Sequence, residues 1–423
     1  MRRRAIRTLL ADIRPLRESP DYRRLWFGQT LSATGGQMTN FAVALQVFVL
    51  TGSSAAVGGV GLAFAVPAIA LGLLSGALID SVDRRRLVLV TSSLQASISI
   101  AFAVQAYAGS RELWLLYLLT AAQGAVGAVN APARRTFMPR LLPRDQVPAG
   151  AALSIVTVHL SAIVGPSLAG LITAAGGLKI CYLVDAVSFA GALYAVFRLP
   201  PMRPEPGTGA AGGLARVREG FQFIRNSKVL IGALISDVSA TMLAMPVALF
   251  PAINAERFGG SPRTLGLLSA SLAIGGVVGT ELSGPVGRVA RQGRAMLIAG
   301  GCWGAALAGF GLVHTLVLSV ALLIVAGIAD VLSVVFRSSL IQLATPDSMR
   351  GRASAAEFVV GAATPQLGNF RAGLVATATS PGTSAWTGGI SAVVGAGLIA
   401  IALPSFVRYR AIGFQNRQTS PAT

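Results

Sequence analysis

Along the chain, long apolar runs alternate with short breaks rich in arginine, proline and turn-forming residues. In the first part the runs fall near 25–50, 56–79, 87–108, 113–132, 147–174 and 179–199. The second part has runs near 229–253, 264–284, 295–313, 316–336, 353–376 and 384–404. Each is close to or above the roughly 20 residues that a helix needs to cross the hydrocarbon core of a bilayer. The pattern therefore predicts an all-α membrane protein with twelve transmembrane helices in two six-helix halves. The fifth and eleventh runs contain polar and proline-bearing stretches, which blur their ends.

This layout divides the chain into an N-terminal tail (1–24), a first half (25–199), a linker (200–228), a second half (229–404) and a C-terminal tail (405–423). The linker opens with Pro200, Pro201, Pro204 and Pro206 and continues into a glycine-rich patch. Leu214, Val217, Phe221 and Ile224 then recur at helical spacing with arginines between them, which predicts a short helix on the cytoplasmic face. Sliding one half over the other by about 203 residues places Arg134 on Arg337, Pro143 on Pro346 and Gly170 on Gly373. Such correspondence fits parallel repeats about an axis along the membrane normal, with a binding cavity between the halves.

Composition agrees. With 53% hydrophobic and 12% charged residues and a mean hydropathy of +0.66, the solvent for most of the surface is lipid. The 49 glycines and 21 prolines lie largely within apolar stretches, where membrane helices use them for close packing. The net charge of +19 changes the picture more. If both termini are cytoplasmic, 30 of the 35 Lys and Arg residues fall on the cytoplasmic side. Only Arg111, Lys179, Arg257, Arg263 and Arg371 fall on the other. That bias sets the expected orientation in the inner (plasma) membrane and argues against a nucleic-acid-binding face, which would gather its cations on one soluble surface. The first 24 residues are basic but lack the apolar core and cleavage site of a secretory signal. Cys181 and Cys302 both sit in apolar runs, so neither a disulfide framework nor a metal cluster is expected. With two histidines and no glycine-rich phosphate loop ending in Lys-Ser/Thr, the chain offers no enzymatic site, no cofactor and no ATP motor.

Between the second and third runs stands Gly76-Ala-Leu-Ile-Asp80-Ser-Val-Asp83-Arg84-Arg85-Arg86. Carboxylates at a helix end can pair with such arginines and clamp two helices, and Gly76 is expected to permit their close approach. In the fifth run, Gly165-Pro166-Ser167-Leu168-Ala169-Gly170 combines small residues for tight packing with a proline that removes a backbone donor. The first of these resembles the signature loop of the major facilitator superfamily, and the second resembles the Gly-Pro antiporter motif that marks exporters within it. Arg23-Arg24-Leu25-Trp26-Phe27-Gly28-Gln29, Ala131-Pro132-Ala133-Arg134, Asp185-Ala186-Val187-Ser188-Phe189 and Arg350-Gly351-Arg352 narrow the likeness. They are similar to the drug/proton antiporter branch that includes enterobactin (siderophore) exporters and multidrug efflux pumps. The resemblance spans about residues 16–405 and implies the twelve-helix fold. It also implies export of a small molecule from the cytoplasm, driven by proton entry, by a protein that works as a monomer. It leaves open whether the cargo is a siderophore or a range of drugs. Import by the same fold and a non-transporting sensor are the further alternatives, and short tails offer the latter no soluble domain.

One departure bears on coupling. Members of that branch often place an acid after the glycine of span one, where this chain has Gly35-Gly36-Gln37, and glutamine cannot carry a proton. Charges at membrane depth are costly, which makes Asp237, Asp330, Glu281, Asp185 and His159 the candidates for proton coupling. Asp237, two turns into span seven amid Ser236 and Ser239, leads them. Asp185 suits a structural hydrogen bond, His159 a packing role, and Glu281 and Asp330 a pairing with Arg288 or Arg337. Glu357 follows Arg352 closely enough to be interfacial. For substrate contact the candidates are Gln37, Asn40, Gln46, Gln123, Asn369 and Arg371, polar groups able to orient a ligand in an otherwise apolar pocket.

Overall fold

The computed structural model describes residues 12–202, 213–284, 286 and 289–409. Pro204, Pro206, Arg288, the first eleven residues of the basic N-terminal tail and most of the C-terminal tail lie outside the described residues, as does the side chain of Asp80. Among the described residues there is no strand. The first half comprises α1 (Pro20–Thr51), α2 (Ser54–Ser81), α3 (Arg84–Tyr107), α4 (Leu113–Arg135), α5 (Val147–Gly176) and α6 (Leu178–Phe197). A short helix, Gly213–Arg225, leads into the second half. There α7 is broken into limbs Lys228–Ala244 and Phe250–Arg257, followed by α8 (Pro262–Leu282), α9 (Gln292–Leu312), α10 (Leu316–Ala344), α11 (Asp347–Ala378) and α12 (Pro381–Ala402).

Local sequence sets several of these boundaries. Ser19, Ser53, Asp83, Ser227 and Ser380 each turn a side-chain oxygen onto a backbone N–H of the first turn they precede. At the end of α1, Gly52 takes φ +63, a left-handed conformation that lets the chain reverse within three residues into α2.

Ten of the described helices are long and apolar enough to cross a membrane. α1 and α11 are not among them, although each runs 32 residues. Their polar side chains lower the average, and packing explains why that is tolerated. α1 lies against α5 and α6, while α11 lies against α2 and α7, so both have protein rather than lipid around much of their length. Apolar side chains at the periphery, such as Val317 on α10 and Ile401 on α12, are exposed, as a surface solvated by lipid requires.

α1–α6 pack mainly among themselves, as do α7–α12, and the two bundles join along two seams, α2 with α11 and α5 with α8. We call the end carrying the start of α1, the α2–α3 turn and the Gly213–Arg225 helix basal, and the opposite end distal. The seams are closest toward the distal end. A Cβ on Gly170 would lie 2.6 Å from the Pro262 carbonyl oxygen, and one on Gly58 would lie 2.7 Å from that of Asn369. Only glycine lets these backbones touch. The repeat reappears here, since Gly165 and Gly170 stand 203 residues before Gly368 and Gly373.

The short Gly213–Arg225 helix has a partner within the protein. Gly220 abuts the backbone of Arg352, and Glu219 pairs with Arg352 at 2.8 Å, which fixes the helix across the basal end of α11.

Candidate functional site

Where the bundles face each other, and basally within the first half, lie connected chambers. One, of about 380 Å³, is walled by Gln37 and Asn40 of α1, His159 and Pro166 of α5, Asp330 of α10 and Phe250 of α7. A second, of about 320 Å³, shares Gln37 and Asn40 and adds Gln123, Gln366 and Asn369. A third, of about 670 Å³, shares Gln123 and continues basally between α1, α4 and α5. Apolar residues make most of the walls of the first two, with few polar groups among them, the usual balance of a small-molecule site.

The break in α7 helps to shape this space. Pro246 cannot donate a backbone hydrogen bond, and the helix gives way to a 3-10 turn, Val247–Leu249, between its limbs. Met245, Val247 and Ala248 line the second chamber. Asn369 of α11 repairs the interruption, its side-chain oxygen accepting the Ala248 N–H at 3.1 Å. Irregular backbone at membrane depth is tolerated where it borders such a cavity and its polar groups find partners.

Beside the cavity, the second half holds a cluster of charge. Arg337 of α10 pairs with Asp237 of α7, and its Nε donates to Glu357 Oε1 of α11 at 3.2 Å. The Ser338 hydroxyl also donates to Glu357, at 3.4 Å. These side chains are largely buried, at 10%, 8% and 19% exposure for Arg337, Asp237 and Glu357. Asp330 precedes Arg337 by two helical turns, about 10 Å along α10. It borders the first chamber and makes no hydrogen bond among the described residues. One guanidinium thus pairs with two carboxylates, while a third stands unpaired two turns away.

Two expectations for this cluster change. Arg337 pairs with Asp237 and Glu357 rather than with Asp330 or Glu281, and Glu357 is an inward-facing member of the cluster rather than an interfacial residue. Glu281 is exposed near the basal end of α8. Asp185 is fully buried away from the cavity, where Oδ2 accepts from Thr39 Oγ1 at 2.6 Å and Ser99 Oγ at 2.8 Å, joining α1, α3 and α6. His159 borders the first chamber, and its Nε2 lies 3.3 Å from Thr280 Oγ1 across the α5–α8 seam.

Gln37, Asn40 and Gln123 face the cavity, as does Asn369 while it braces α7. Gln46 does not: it is buried in a network with Gln105 and Tyr182, at 3.0 and 2.7 Å. Arg371 reaches α7 instead of the chambers, donating to the Leu243 carbonyl at 2.5 Å.

The Asp83–Arg86 turn clasps the end of its own half. Asp83 Oδ1 accepts the Arg86 N–H at 3.0 Å and Oδ2 accepts the Met202 N–H at 3.1 Å. Arg85 donates to the carbonyls of Val196 and Phe197, at 3.3 and 2.5 Å, with its guanidinium over the Phe197 ring. The turn so grips the exit from α6 into the linker. Gly76 meets open space, so the close approach expected there is not made in this conformation. Gly165 seats α5 on Gln37 of α1, and Gly170 seats it on α8, so the Gly-Pro stretch forms one wall of the cavity and one seam between halves.

Sequence reasoning overlooked the Pro246 break and the joining of Glu357 to Arg337. The proline was visible, and so was the coincidence of Arg337 with Arg134 in the repeat, but the partners lie on other helices.

A family model described as transmembrane secretion effector matches residues 11–416. Among curated proteins, the chain is 26% identical to the enterobactin exporter EntS of Citrobacter koseri and 25% identical to that of Shigella boydii serotype 18. Each likeness runs over 405 residues, 95% of this chain and 96% of the relative. Among solved structures, the nucleoside transporter NupG superposes with a TM-score of 0.71 at 15% identity, covering 92% of this chain and 100% of that one. A bacterial homologue of the iron transporter ferroportin superposes at 0.67 with 18% identity, covering 92% and 98%.

Proposed function

Because the chain belongs to the transmembrane secretion effector family of the major facilitator superfamily, a multi-pass membrane transporter and not an enzyme, we propose that it exports a siderophore-like small molecule from the cytoplasm by proton antiport. The basal end is cytoplasmic in this reading, and both termini lie on the cytoplasmic side of the plasma membrane, because the basal breaks carry most of the arginines. The likeness to enterobactin exporters supports the cargo and the direction.

The observation that carries the coupling is the cluster at the cavity wall. Two carboxylates, Asp237 and Glu357, share one guanidinium and a third, Asp330, stands on the cavity wall two turns away, which leaves an excess of two negative charges in a confined space. Binding a proton relieves that excess. A proton on Asp237 would weaken its hold on Arg337 and leave the guanidinium to Glu357, loosening α7 from α10. Since α7 is also the helix whose break borders the second chamber, proton binding and cavity shape act on one element. Exchange of cargo for protons then follows from rocking of the halves about the α2–α11 and α5–α8 seams.

Two measurements test this. In proteoliposomes, Asp237→Asn should fold normally and lose efflux driven by a pH gradient; undiminished efflux would remove Asp237 from the mechanism. In cells grown under iron limitation, deletion of the gene should abolish one secreted siderophore and complementation should restore it. An unchanged secreted profile with greater sensitivity to several drugs would replace the siderophore by broad drug efflux.

A further inference from the structure

Overlaying the halves brings Arg134 of α4 onto Arg337 of α10. Both arginines are buried to the same degree, at 8% exposure of the whole residue. Their company differs. Arg337 has Asp237 and Glu357. Arg134 has one hydroxyl: its Nη2 donates to Ser92 Oγ of α3 at 2.9 Å, and its buried Nε has no partner. The positions matching Asp237, Asp330 and Glu357 are Thr34, Gly127 and Ser154. Among the described residues, Arg134 makes no ion pair.

A guanidinium buried without a counter-charge is costly and persists where a function requires it. The C-terminal dipole of α4 offers some negative charge. However, Arg134 does not turn to the helix's last carbonyls; it reaches across to α3.

The third chamber is where this cation sits. Its wall includes Arg134 and Arg135, the amides Gln29, Gln95 and Gln123, and the ring of Trp26, with no carboxylate among the described residues. Two cations and several amide groups thus face a space of about 670 Å³ that also offers aromatic surface. We propose that this chamber is an anion-binding subsite, in which Arg134 receives the carboxylate or ionised phenolic group of an aromatic substrate. The guanidinium can meet such a group through parallel N–H donors, the amides can satisfy its remaining lone pairs, and Trp26 flanks the ring. Gln123, common to the second and third chambers, places the subsite on the way to the central cavity. The inference rests on the export reading only in treating this space as a cargo route.

The test uses the full chain in lipid nanodiscs without any pH gradient, so its failure leaves proton-driven export standing and the loss of proton dependence leaves the subsite standing. Equilibrium dialysis compares salicylate, an aryl anion, with its neutral amide, salicylamide. Wild type should prefer salicylate by about tenfold or more, and Arg134→Gln should lose that preference. Arg134→Lys should keep most of it, and Arg111→Gln, at an exposed position beyond the distal end of α4, should change it by no more than about twofold. Asn130→Asp is a second, nearly isosteric probe. Asn130 already donates to Thr91 and Ser92 at 2.8 and 2.9 Å, one turn before Arg134, so a carboxylate there would occupy the guanidinium from within and also abolish the preference. Equal binding of the two probes by wild type, or a preference that survives in Arg134→Gln and Asn130→Asp, would overturn the proposal. Without ligand, Arg134→Gln should melt at or above the wild-type midpoint; a lower midpoint would mark Arg134 as a structural strut and overturn it as well.

Discussion

In the second half, Arg337 is buried against Asp237 and Glu357, with Asp330 two turns away on the cavity wall; at the matching place in the first half, Arg134 is buried against a serine. The helical frame around them is repeated, down to the glycines that seat α5 on α8 and α11 on α2. What differs is the chemistry hung on that frame. An acid-rich cluster can exchange protons while its arginine keeps it from being wholly unpaired. A lone cation can do the complementary task and hold an anion. In the proposed mechanism, a duplicated scaffold with divergent charge separates the site for the driving ion from the site for the cargo, and the shared seams couple the two halves.

The sharpest way to break this comparison is to remove each arginine in turn. Arg337→Gln strands two buried carboxylates and should cost about 3–5 kcal/mol, seen as a lower thermal midpoint of the purified protein. Adding Asp237→Asn to it should recover part of the loss. Arg134→Gln strands no acid and should not lower the midpoint. If both single variants fell equally, the asymmetry of charge would have no energetic content.

The seams should respond alike in both halves. Gly170→Val and Gly373→Val each push a side chain into backbone across the seam, at a cost of about 1–3 kcal/mol to the conformation that is closed distally. Spin-label distances between the distal ends of α5 and α8, and of α2 and α11, should shift toward longer separations in both variants. A shift in only one would show that the two seams carry unequal shares of closure.

The smallest effect is expected at the latch on the first half. Asp83→Ala removes a helix cap and the grip on Met202, worth about 1 kcal/mol. It should slow efflux turnover while leaving equilibrium binding of cargo nearly unchanged. Unaltered turnover would make the latch a stabilising cap and nothing more.

Much of the frame was legible beforehand. Runs of apolar residues gave the helices, and the repeat offset gave the pairing of Arg134 with Arg337 and Gly170 with Gly373. The site was legible in part. Gln37, Asn40 and Gln123 do face the cavity, because polar groups inside apolar spans need protein or water around them. Gln46 satisfies the same need differently, through Gln105 and Tyr182, and its own sequence neighbourhood gave no sign of which solution would hold. Asp185 likewise finds hydroxyls on two other helices. Pro246 was plain to see, yet whether a proline kinks a span or breaks it depends on what stands ready to satisfy the freed backbone, here Asn369 from α11.

By itself, then, the sequence determined that this is a bundle of membrane helices in two related halves, because lipid imposes one requirement on every span regardless of its neighbours: apolar side chains and a self-satisfied backbone. The tertiary structure alone decided which acid meets which arginine. Asp237 and Arg337 stand a hundred residues apart, and Glu357 twenty beyond that, so their union depends on the packing of α7, α10 and α11. Among the described residues, the same packing left Arg134 without a carboxylate. Charge in a low-dielectric interior is governed by what lies within a few ångströms, and that distance is set by the fold.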